Sequence, residues 1–368
     1  MKNKRNCIAV TGGVTGGHIL PLIAVLEEVR KEWHGEIVWI GSSSGMEKRL
    51  IKSIKVEYRS IPTGKLRRYI SVKNIFDIGK IISGIIVSYF ILHKKKPKLL
   101  FSKGGYVSVP PVLAARLMKI PIFTHESDLD PGLATKINAR FAEKIFISFS
   151  ETAGYFKRAI RSKVVVTGNP VRNIILNGNA AKGREILECV NGRNILFILG
   201  GSQGAHRINE LIDEIKEKLS QKYCVVHQTG FKDFKQSNLE NYIPVKYLND
   251  ELADILAASS LVLCRAGANT LWELAASRKA SILIPLPRTS SRGDQIRNAE
   301  IFRQAGASLV LKEENLNADT LLEIITKLLD NREQLSIMGE NAGKLFNRDS
   351  SRKIARMIID TVFDNEEY

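Results

Sequence analysis

Cysteine is scarce in this sequence, and its spacing argues against a metal centre or a disulfide framework. Cys7, Cys189, Cys224 and Cys264 are scattered over 368 residues, without a Cys-x-x-Cys or a Cys/His spacing. Zinc sites and disulfide-rich domains need closely spaced ligands or regular pairs. We therefore predict buried free thiols in a reducing compartment, and no bound metal.

Long apolar runs and stacking aromatic residues are also missing. The apolar run at residues 81–92 has twelve residues, whereas a transmembrane helix needs about 20. The basic start of the chain precedes an apolar run at residues 7–10, which is too short for the apolar core of a signal peptide. Aromatic residues make up 7% of the chain and do not alternate with basic ones, which disfavours nucleic-acid binding by stacking. We expect a protein that stays in the cytoplasm and has no nucleic-acid partner.

Two common nucleotide-binding motifs are absent. The glycine-rich loops do not continue into the Gly-Lys-Ser or Gly-Lys-Thr of a Walker A loop. The second predicted strand, residues 36–40, ends in Gly41-Ser42-Ser43 instead of the acidic residue that holds the ribose of NAD. An NAD-dependent enzyme is therefore disfavoured, and we expect no cofactor.

Positive charge is abundant but unevenly distributed. Residues 1–168 carry 29 Lys and Arg against 12 Asp and Glu, whereas residues 169–368 carry 26 of each. This asymmetry predicts that the N-terminal half meets an anionic surface. Basic residues surround the apolar run at 81–92, as in a helix that docks on acidic lipid, although a core helix with solvated basic ends is the alternative. The residues predicted to form this membrane patch are Lys65, Arg67, Arg68, Ile82, Ile85, Ile86, Lys94, Lys95 and Lys96.

Apolar runs of strand length alternate with helix-like segments along the whole chain. Continuous apolar strands separated by helices predict parallel sheets covered on both faces. Four of the strands run into a glycine-containing loop and then a helix, two in each half, and these loops are Gly12–His18, Lys103–Gly105, Gly200–Ala205 and Arg265–Ala268. This repeat predicts two doubly wound α/β domains that face one another. We place them at residues 1–168 and 169–345, and a last helical stretch, residues 346–368, could dock on either.

Taken together, these motifs closely resemble those of the MurG family. The matching segments, in chain order, are Thr15–His18, Gly104–Tyr106, His125-Glu126, Gly168–Arg172, Gly200–Ala205, Gly267–Glu273 and Asp294–Ala299. Members of that family are inverting GT-B glycosyltransferases, with two Rossmann-like domains on either side of a cleft. They move N-acetylglucosamine from UDP-N-acetylglucosamine to undecaprenyl-pyrophosphoryl-N-acetylmuramoyl-pentapeptide, for peptidoglycan synthesis. The resemblance implies a peripheral enzyme on the cytoplasmic face of the bacterial inner membrane.

The resemblance also implies a donor site, mainly in the C-terminal domain. Glu273 would accept hydrogen bonds from the ribose hydroxyls, because an ionised carboxylate is only an acceptor. Gln295 would meet the sugar, and Ser202 with the neighbouring amides would cradle the pyrophosphate. The full set of residues predicted to bind UDP-N-acetylglucosamine is Thr15, Gly16, Gly17, Asp128, Arg172, Ser202, Gln203, Leu248, Ala268, Asn269, Thr270, Leu271, Trp272, Glu273, Gln295 and Asn298.

His18 is the predicted catalytic base, since a histidine titrates near neutral pH and this one lies at the mouth of the first glycine loop. Glu126 is a second catalytic candidate. Gly104, Gly105, Tyr106 and His125 are predicted to line the acceptor side. Helix N-termini with Arg172 would stabilise the departing UDP, so no metal ion is expected.

This chain departs from the family at one informative place. The family usually shows His-Glu-Gln-Asn where the chain reads His125-Glu126-Ser127-Asp128. A carboxylate at the position of that asparagine would repel a diphosphate unless it is protonated or turned away. A GT-B transferase that glycosylates another membrane lipid, such as diacylglycerol, shares the donor motifs and is the alternative function.

Overall fold

The computed structural model describes residues 6–13, 15–43, 45–51, 54–64, 72–188, 192–201 and 204–364. The chain divides into two compact units. Unit 1 contains residues 1–172 together with 348–368, and unit 2 contains residues 173–347. The C-terminal segment thus belongs with the N-terminal unit.

Unit 1 is built on a seven-stranded parallel sheet, with strand order β3-β2-β1-β4-β5-β6-β7. Its strands are β1 (Cys7–Thr11), β2 (Glu36–Gly41), β3 (Glu57–Ser60), β4 (Leu99–Ser102), β5 (Ile122–Glu126), β6 (Lys144–Ile147) and β7 (Val164–Val166). Every residue of the central strands β1 and β4 is buried. This burial explains why these strands read as continuous apolar runs, without the alternation of a half-exposed sheet.

Helices cover both faces of this sheet. They are α1 (Gly16–Glu32), α2 (Gly45–Leu50), α3 (Val72–Lys95), α4 (Val109–Leu117), α5 (Leu133–Phe141) and α6 (Arg158–Arg161), with short 3-10 helices at Tyr106–Ser108 and Ser150–Tyr155. Two separate apolar clusters, one on each side of the sheet, form the core. Prolines at the first turn of α4 suit a helix start, where their missing N–H groups have no intrahelical partner.

Unit 2 repeats the plan with a six-stranded parallel sheet in the order β10-β9-β8-β11-β12-β13. Its strands are β8 (Ile195–Leu199), β9 (Cys224–Gln228), β10 (Tyr242–Val245), β11 (Leu261–Cys264), β12 (Ser281–Leu283) and β13 (Ser308–Val310). Its helices are α7 (Asn173–Leu176), α8 (Ala180–Leu187), α9 (His206–Lys222), α10 (Glu251–Ala258), α11 (Ala268–Ala276), α12 (Asp294–Gln304), α13 (Ala318–Leu329) and α14 (Arg332–Leu345), with a 3-10 helix at Glu313–Asn315. Asparagine side chains cap α8, α13 and α14 by accepting first-turn N–H groups, at Asn179, Asn317 and Asn331.

A final helix, α15 (Ser350–Asp364), returns to unit 1. Its apolar face, which includes Ile354 and Ile358, joins the core cluster formed by α1 and the sheet. Trp33 and Phe363 meet edge to face, with ring centroids 5.8 Å apart. Packing therefore attaches this segment to the N-terminal unit, a choice that the sequence left open.

Each sheet has a point where the strand order reverses, between β1 and β4 in unit 1 and between β8 and β11 in unit 2. In doubly wound sheets the loops beyond the carboxyl ends of such strands diverge and leave a ligand crevice. All four glycine-containing loops found in the sequence follow these four strands. The predicted doubly wound α/β architecture is confirmed in both units.

Cysteine chemistry agrees with the prediction only in part. Cys7 and Cys264 are buried free thiols, and burial raises the pKa of each to about 12. The prediction is wrong for Cys224, which is disulfide-bonded. Cys189 lies outside the described residues.

Candidate active site

The loop after β1 passes between two side chains that leave no room for a Cβ. Gly12 and Gly13 have φ values of 150° and 149°, which favour glycine. A Cβ on Gly12 would lie 2.9 Å from Lys103 Cβ, and one on Gly13 would overlap the carboxylate of Glu47. The backbone conformation therefore calls for glycine at both positions, and packing against Lys103 adds to this at Gly12.

His18 stands in the first turn of α1, directly after this loop. Its N–H donates to the carbonyl of Thr15 at 3.0 Å, and its Nδ1 lies 3.2 Å from Thr15 Oγ1. A Cβ on Gly105 would lie 3.3 Å from both Nε2 and Cδ2 of His18. When Nδ1–H donates to Thr15, the lone pair of the neutral ring is on Nε2, which is the state a general base requires.

The loop after β4 is held rigid by buried polar groups. Asn138 Nδ2 donates to Ser102 Oγ at 3.1 Å and to Ser108 Oγ at 2.7 Å, and Ser108 Oγ donates to the Gly105 carbonyl at 2.8 Å. Gly104 has φ of 79°, and a Cβ there would lie 2.9 Å from Thr135 Oγ1. Tyr106 follows, partly buried, and burial raises the pKa of its phenol. The network fixes Gly105 against the His18 ring.

Glu126, the last residue of β5, organises the loop that follows it. Its Oε1 accepts the N–H groups of Ser127 at 2.9 Å and Asp128 at 3.1 Å, and its Oε2 accepts that of Gly132 at 3.0 Å. Both oxygens of this buried carboxylate are thus engaged with backbone amides. These hydrogen bonds hold the loop in place, and the predicted role of Glu126 in proton transfer stays a prediction.

His125 is completely buried, which corrects the expectation that its ring lines the acceptor side. Its Nε2–H donates to the Gly168 carbonyl at 3.3 Å. Burial holds the pKa of the imidazole well below its usual range, with Lys103 acting in the same direction, so the ring is neutral at pH 7. Its contribution is to tie β5 to the segment after β7.

Lys103 is a residue of this region that was not selected from the sequence. Its side chain is almost completely buried, and its Nζ donates to Ser127 Oγ at 2.7 Å. Burial lowers the pKa of this lysine to about 8. The one signal in the sequence was its position immediately after a buried strand and before two glycines.

The loop after β8 in unit 2 also depends on glycine. A Cβ on Gly200 would lie 2.5 Å from the Gln228 carbonyl oxygen, and one on Gly204, which has φ of 78°, would lie 2.7 Å from the Thr229 carbonyl oxygen. Ser202 and Gln203, predicted to contact the pyrophosphate, lie outside the described residues. Gln228 Oε1 accepts the Leu248 N–H at 3.0 Å and so fixes the backbone at the predicted uracil position.

Helix α11 begins at Ala268, with Gly267 as its N-cap, beyond the carboxyl end of β11. Asn269, Thr270 and Glu273 are partly exposed, as ligand contacts would require. Leu271 and Trp272 are buried, and Trp272 packs edge to face on Phe302 with centroids 6.0 Å apart. These two side chains anchor the helix, so any contact of Leu271 and Trp272 with a donor would be through their backbone, and their predicted role stays a prediction.

The remaining predicted donor residues occupy defined positions. Gln295 lies in the first turn of α12, and its Oε1 accepts the Leu286 N–H at 3.1 Å, so its amide N–H₂ is the part that can donate to a sugar. Asn298, one turn further along, is completely buried. Arg172 is the last residue of unit 1 and is partly exposed. The residues predicted to bind the donor are therefore divided between the two units, with Arg172 in unit 1 and Gln295 and Asn298 in unit 2.

The predicted membrane patch falls largely on α3. One face of this helix packs on the core through Leu92 and the partly buried Ile85. The other face exposes an apolar stripe at helical spacing, with exposed fractions of 49% for Ile78, 53% for Ile82, 52% for Ile86 and 65% for Phe90. The helix is thus a core helix on one side and an apolar surface on the other.

The charges around α3 differ from those expected. Lys94 and Lys96 are exposed, but Lys95 forms ion pairs with Glu36 and Glu57. Hydrogen bonding by Lys95 lowers the pKa of Glu57 to about 2. The ion pairs of Lys95 therefore exclude it from the predicted membrane patch. Three further members of that patch lie outside the described residues, and these are Lys65, Arg67 and Arg68. Within the described ranges, no helix is both long and apolar enough to cross a membrane.

Two doubly wound units with glycine-rich loops at both switch points form the GT-B architecture, and the matching family models show that the class of protein is the glycosyltransferases. The N-terminal domain model of glycosyltransferase family 28 matches residues 8–147, and the C-terminal domain model of that family matches residues 195–355. The crystal structure of Acinetobacter baumannii MurG has the same fold, with a TM-score of 0.74 and 23% identity, over 97% of this chain and 99% of that one.

Sequence relatives narrow the class to one family. The chain is 44% identical to the UDP-N-acetylglucosamine–N-acetylmuramyl-(pentapeptide) pyrophosphoryl-undecaprenol N-acetylglucosamine transferase of Treponema denticola, over 88% of each chain. It is 43% identical to the Clostridium perfringens protein of the same name, over 90% of this chain and 92% of that one. The chain belongs to the MurG family.

Proposed function

We propose that this protein transfers N-acetylglucosamine from UDP-N-acetylglucosamine to the C4 hydroxyl of undecaprenyl-pyrophosphoryl-N-acetylmuramoyl-pentapeptide. The observation that carries this proposal is the identity of 43–44%, over most of both chains, to relatives whose names state this transfer. The product is the last lipid precursor of peptidoglycan.

The donor is assigned to unit 2. The partly exposed Glu273 on α11 accepts the ribose hydroxyls, and the N–H₂ of Gln295 donates to the sugar. The Leu248 backbone, which Gln228 holds, meets the uracil. Support comes from the position of β8 and β11 at the strand-order reversal of unit 2, because ligands of doubly wound sheets bind at such points.

His18 is assigned as the base. As the acceptor hydroxyl attacks the anomeric carbon, Nε2 takes its proton, the new glycosidic bond forms and the bond to UDP breaks. Direct displacement on the face opposite UDP inverts the α-linked donor and gives a β-(1→4) product. The contact with Thr15 Oγ1 at 3.2 Å is compatible with this role, because Oγ1 can accept from Nδ1–H and so leave the lone pair on Nε2.

The departing UDP carries negative charge, and the proposed stabilisers are backbone N–H groups and a cation. The first N–H groups of α11 lack intrahelical acceptors, and a helix N-terminus carries a partial positive charge. Arg172 adds a full charge. These groups provide electrostatic stabilisation of the leaving group that is in place before the reaction.

The acceptor is held at a membrane by its polyprenyl chain, so the enzyme must work at that surface. We assign α3 as the docking element on the cytoplasmic face of the membrane. Its exposed apolar stripe, Ile78, Ile82, Ile86 and Phe90, can enter the headgroup region, and Lys94 and Lys96 can meet anionic lipid at about 1 kcal/mol each. The net charge of +17 favours the same surface.

A coupled assay of UDP release tests the proposed function. Several UDP-sugars are offered with the undecaprenyl-pyrophosphoryl-muramoyl-pentapeptide, with diacylglycerol, or with no acceptor. We expect rapid release only from UDP-N-acetylglucosamine with the muramoyl acceptor. Release supported by diacylglycerol alone would replace the proposal with the alternative lipid glycosyltransferase.

A further inference from the structure

Lys103 is a buried lysine at the strand-order reversal of unit 1. It follows β4, the backbone of Gly12 packs against its Cβ, and its Nζ donates to Ser127 Oγ in the loop after β5. Its side chain is 3% exposed. Removing an ammonium group from water is costly, and a neutral hydroxyl offsets little of that cost. The position therefore calls for negative charge close by.

Two carboxylates of the β5 loop supply that charge. Glu126 and Asp128 both interact with Lys103 electrostatically, and they oppose the effect of burial, which lowers the pKa of Lys103 to about 8. His125, on β5, is neutral. Ser127, which accepts from Lys103 Nζ, and Asn169, which accepts from Ser127, are also uncharged. On the side of the loop after β1, the carboxylate of Glu47 lies against Gly13.

The two carboxylates differ in what else they contact. Glu126 is buried, and both of its carboxylate oxygens accept hydrogen bonds from backbone N–H groups. These hydrogen bonds already stabilise its negative charge within the protein. Asp128 is partly exposed and follows Ser127 directly. Asp128 also belongs to the residues predicted to bind the sugar donor, whose diphosphate a carboxylate would repel. A second charge of opposite sign is then needed before a diphosphate can approach.

We propose that Lys103 is a positioning residue whose buried ammonium offsets the charge of Asp128, so that the loop from Glu126 to Asp128 can face the diphosphate of a substrate. The inference rests on the proposed function, in which the sugar donor and the lipid acceptor both carry a diphosphate. Lys103 acts through Ser127 and Asp128 without touching the reacting atoms.

A double-mutant cycle tests this charge compensation. The four proteins are the wild type, Lys103→Met, Asp128→Asn and the double variant, assayed for kcat/KM with the donor varied and, separately, with the acceptor varied. In the wild-type background, we expect Lys103→Met to lower kcat/KM about tenfold, mainly by raising KM. In the Asp128→Asn background, we expect the same substitution to lower kcat/KM by less than about threefold. The substrate whose KM carries the effect identifies which diphosphate faces the loop. Equal losses in both backgrounds would overturn the proposal.

A pH profile repeats the test with Lys103 in place, in case its replacement impairs folding. Because Lys103 loses its proton near pH 8, we expect kcat/KM of the wild type to fall as pH rises through that value. The fall should be smaller in Asp128→Asn, because the loop then carries one negative charge less. An identical fall of kcat/KM above pH 8 in the two proteins would overturn the proposal.

Failure of the proposed function is distinguishable from failure of this proposal, because the wild type itself would then release no UDP with the muramoyl acceptor.

Discussion

The imidazole of His18 lies against Gly105, and the absence of a side chain on that glycine leaves the space which the ring occupies. A Cβ at position 105 would lie 3.3 Å from His18 Nε2 and Cδ2. The two residues belong to loops that follow β1 and β4, the adjacent strands at which the order of the sheet reverses. The candidate base is therefore held between its own helix and the neighbouring loop.

Gly105→Ala should impair catalysis more than stability. The new methyl group would press on the His18 ring, and the backbone of Gly105, with φ of 76° and ψ of 154°, costs an alanine about 1–3 kcal/mol. We expect kcat to fall by about tenfold or more, because small displacements of catalytic groups are costly. Gly192→Ala is the matched control, since its φ of 88° also strains an alanine while a Cβ there meets nothing within 4 Å. Equal activity of the two variants would remove the packing constraint on His18.

His18→Ala should lower kcat by about 10²- to 10⁴-fold, the usual contribution of a general base. The KM for the donor should change little, because the donor is assigned to residues of unit 2. His34→Ala, at an exposed position after α1, is the control and should be fully active. A His18→Ala enzyme with normal turnover would contradict the assignment of the base.

Glu126→Gln should destabilise the loop after β5. All three hydrogen bonds of this carboxylate are accepted from N–H groups, so the N–H₂ of glutamine would face at least one donor. We expect a loss of about 1–3 kcal/mol in the free energy of unfolding, measured by urea titration. The exposed Glu143→Gln is the control. If Glu126→Gln keeps full stability but loses its turnover, Glu126 is a catalytic acid or base after all.

His227 should make the stability of unit 2 depend on pH. Its Nε2 lies 2.9 Å from Asn209 Oδ1 and its Nδ1 lies 2.8 Å from Tyr242 Oη, and burial lowers the pKa of its ring to about 4. The unfolded chain, with a pKa of about 6.5, binds more protons between these values, so stability is lost as pH falls from about 6.5 to about 4.

The measurement for this prediction is the free energy of unfolding across that range of pH. His227→Gln, which cannot take up a proton there, should show a shallower loss. His206→Gln, which removes an exposed histidine of α9, should keep the slope of the wild type. If the free energy of unfolding falls with pH equally in the wild type and in His227→Gln, another group causes the loss of stability in acid.

Membrane docking can be separated from folding because the lysines at the C-terminal end of α3 differ in their contacts. Lys94→Glu with Lys96→Glu should release the protein from anionic vesicles, since each basic residue contributes about 1 kcal/mol near such a surface. Lys95 is excluded because its ion pairs with Glu36 and Glu57 make it structural. Lys232→Glu with Lys235→Glu, two exposed positions in unit 2, changes the net charge equally. Equal release by both pairs would indicate general charge attraction and no specific patch.

The sequence predicted the parts of the fold that depend on continuous burial. The strands predicted at residues 7–10 and 36–40 became β1 and β2, each within one residue of its predicted ends, because both faces of these strands are covered. The edge strands β3 and β10 were not predicted, because partly exposed strands lack a continuous apolar run. Glycine loops could be located because their backbone geometry restricts the residue type.

Predictions for the candidate site were less complete, and the reasons are physical. Spacing alone does not reveal which face of α11 is buried, so Leu271 and Trp272 could not be told from its exposed residues. A buried lysine such as Lys103 reads like any surface lysine, because burial depends on what the fold places around it. The contact between His18 and Gly105 joins distant segments and appears only when β1 and β4 pair.

The central claim is the transfer of one sugar to a lipid diphosphate, and mass spectrometry of the lipid product tests it most directly. The purified enzyme is incubated with UDP-N-acetylglucosamine and undecaprenyl-pyrophosphoryl-N-acetylmuramoyl-pentapeptide in anionic vesicles, and product and UDP are quantified together. We predict one added N-acetylhexosamine on each acceptor consumed and an equal amount of UDP. An unmodified acceptor, or UDP released without a glycosylated lipid, would contradict the account.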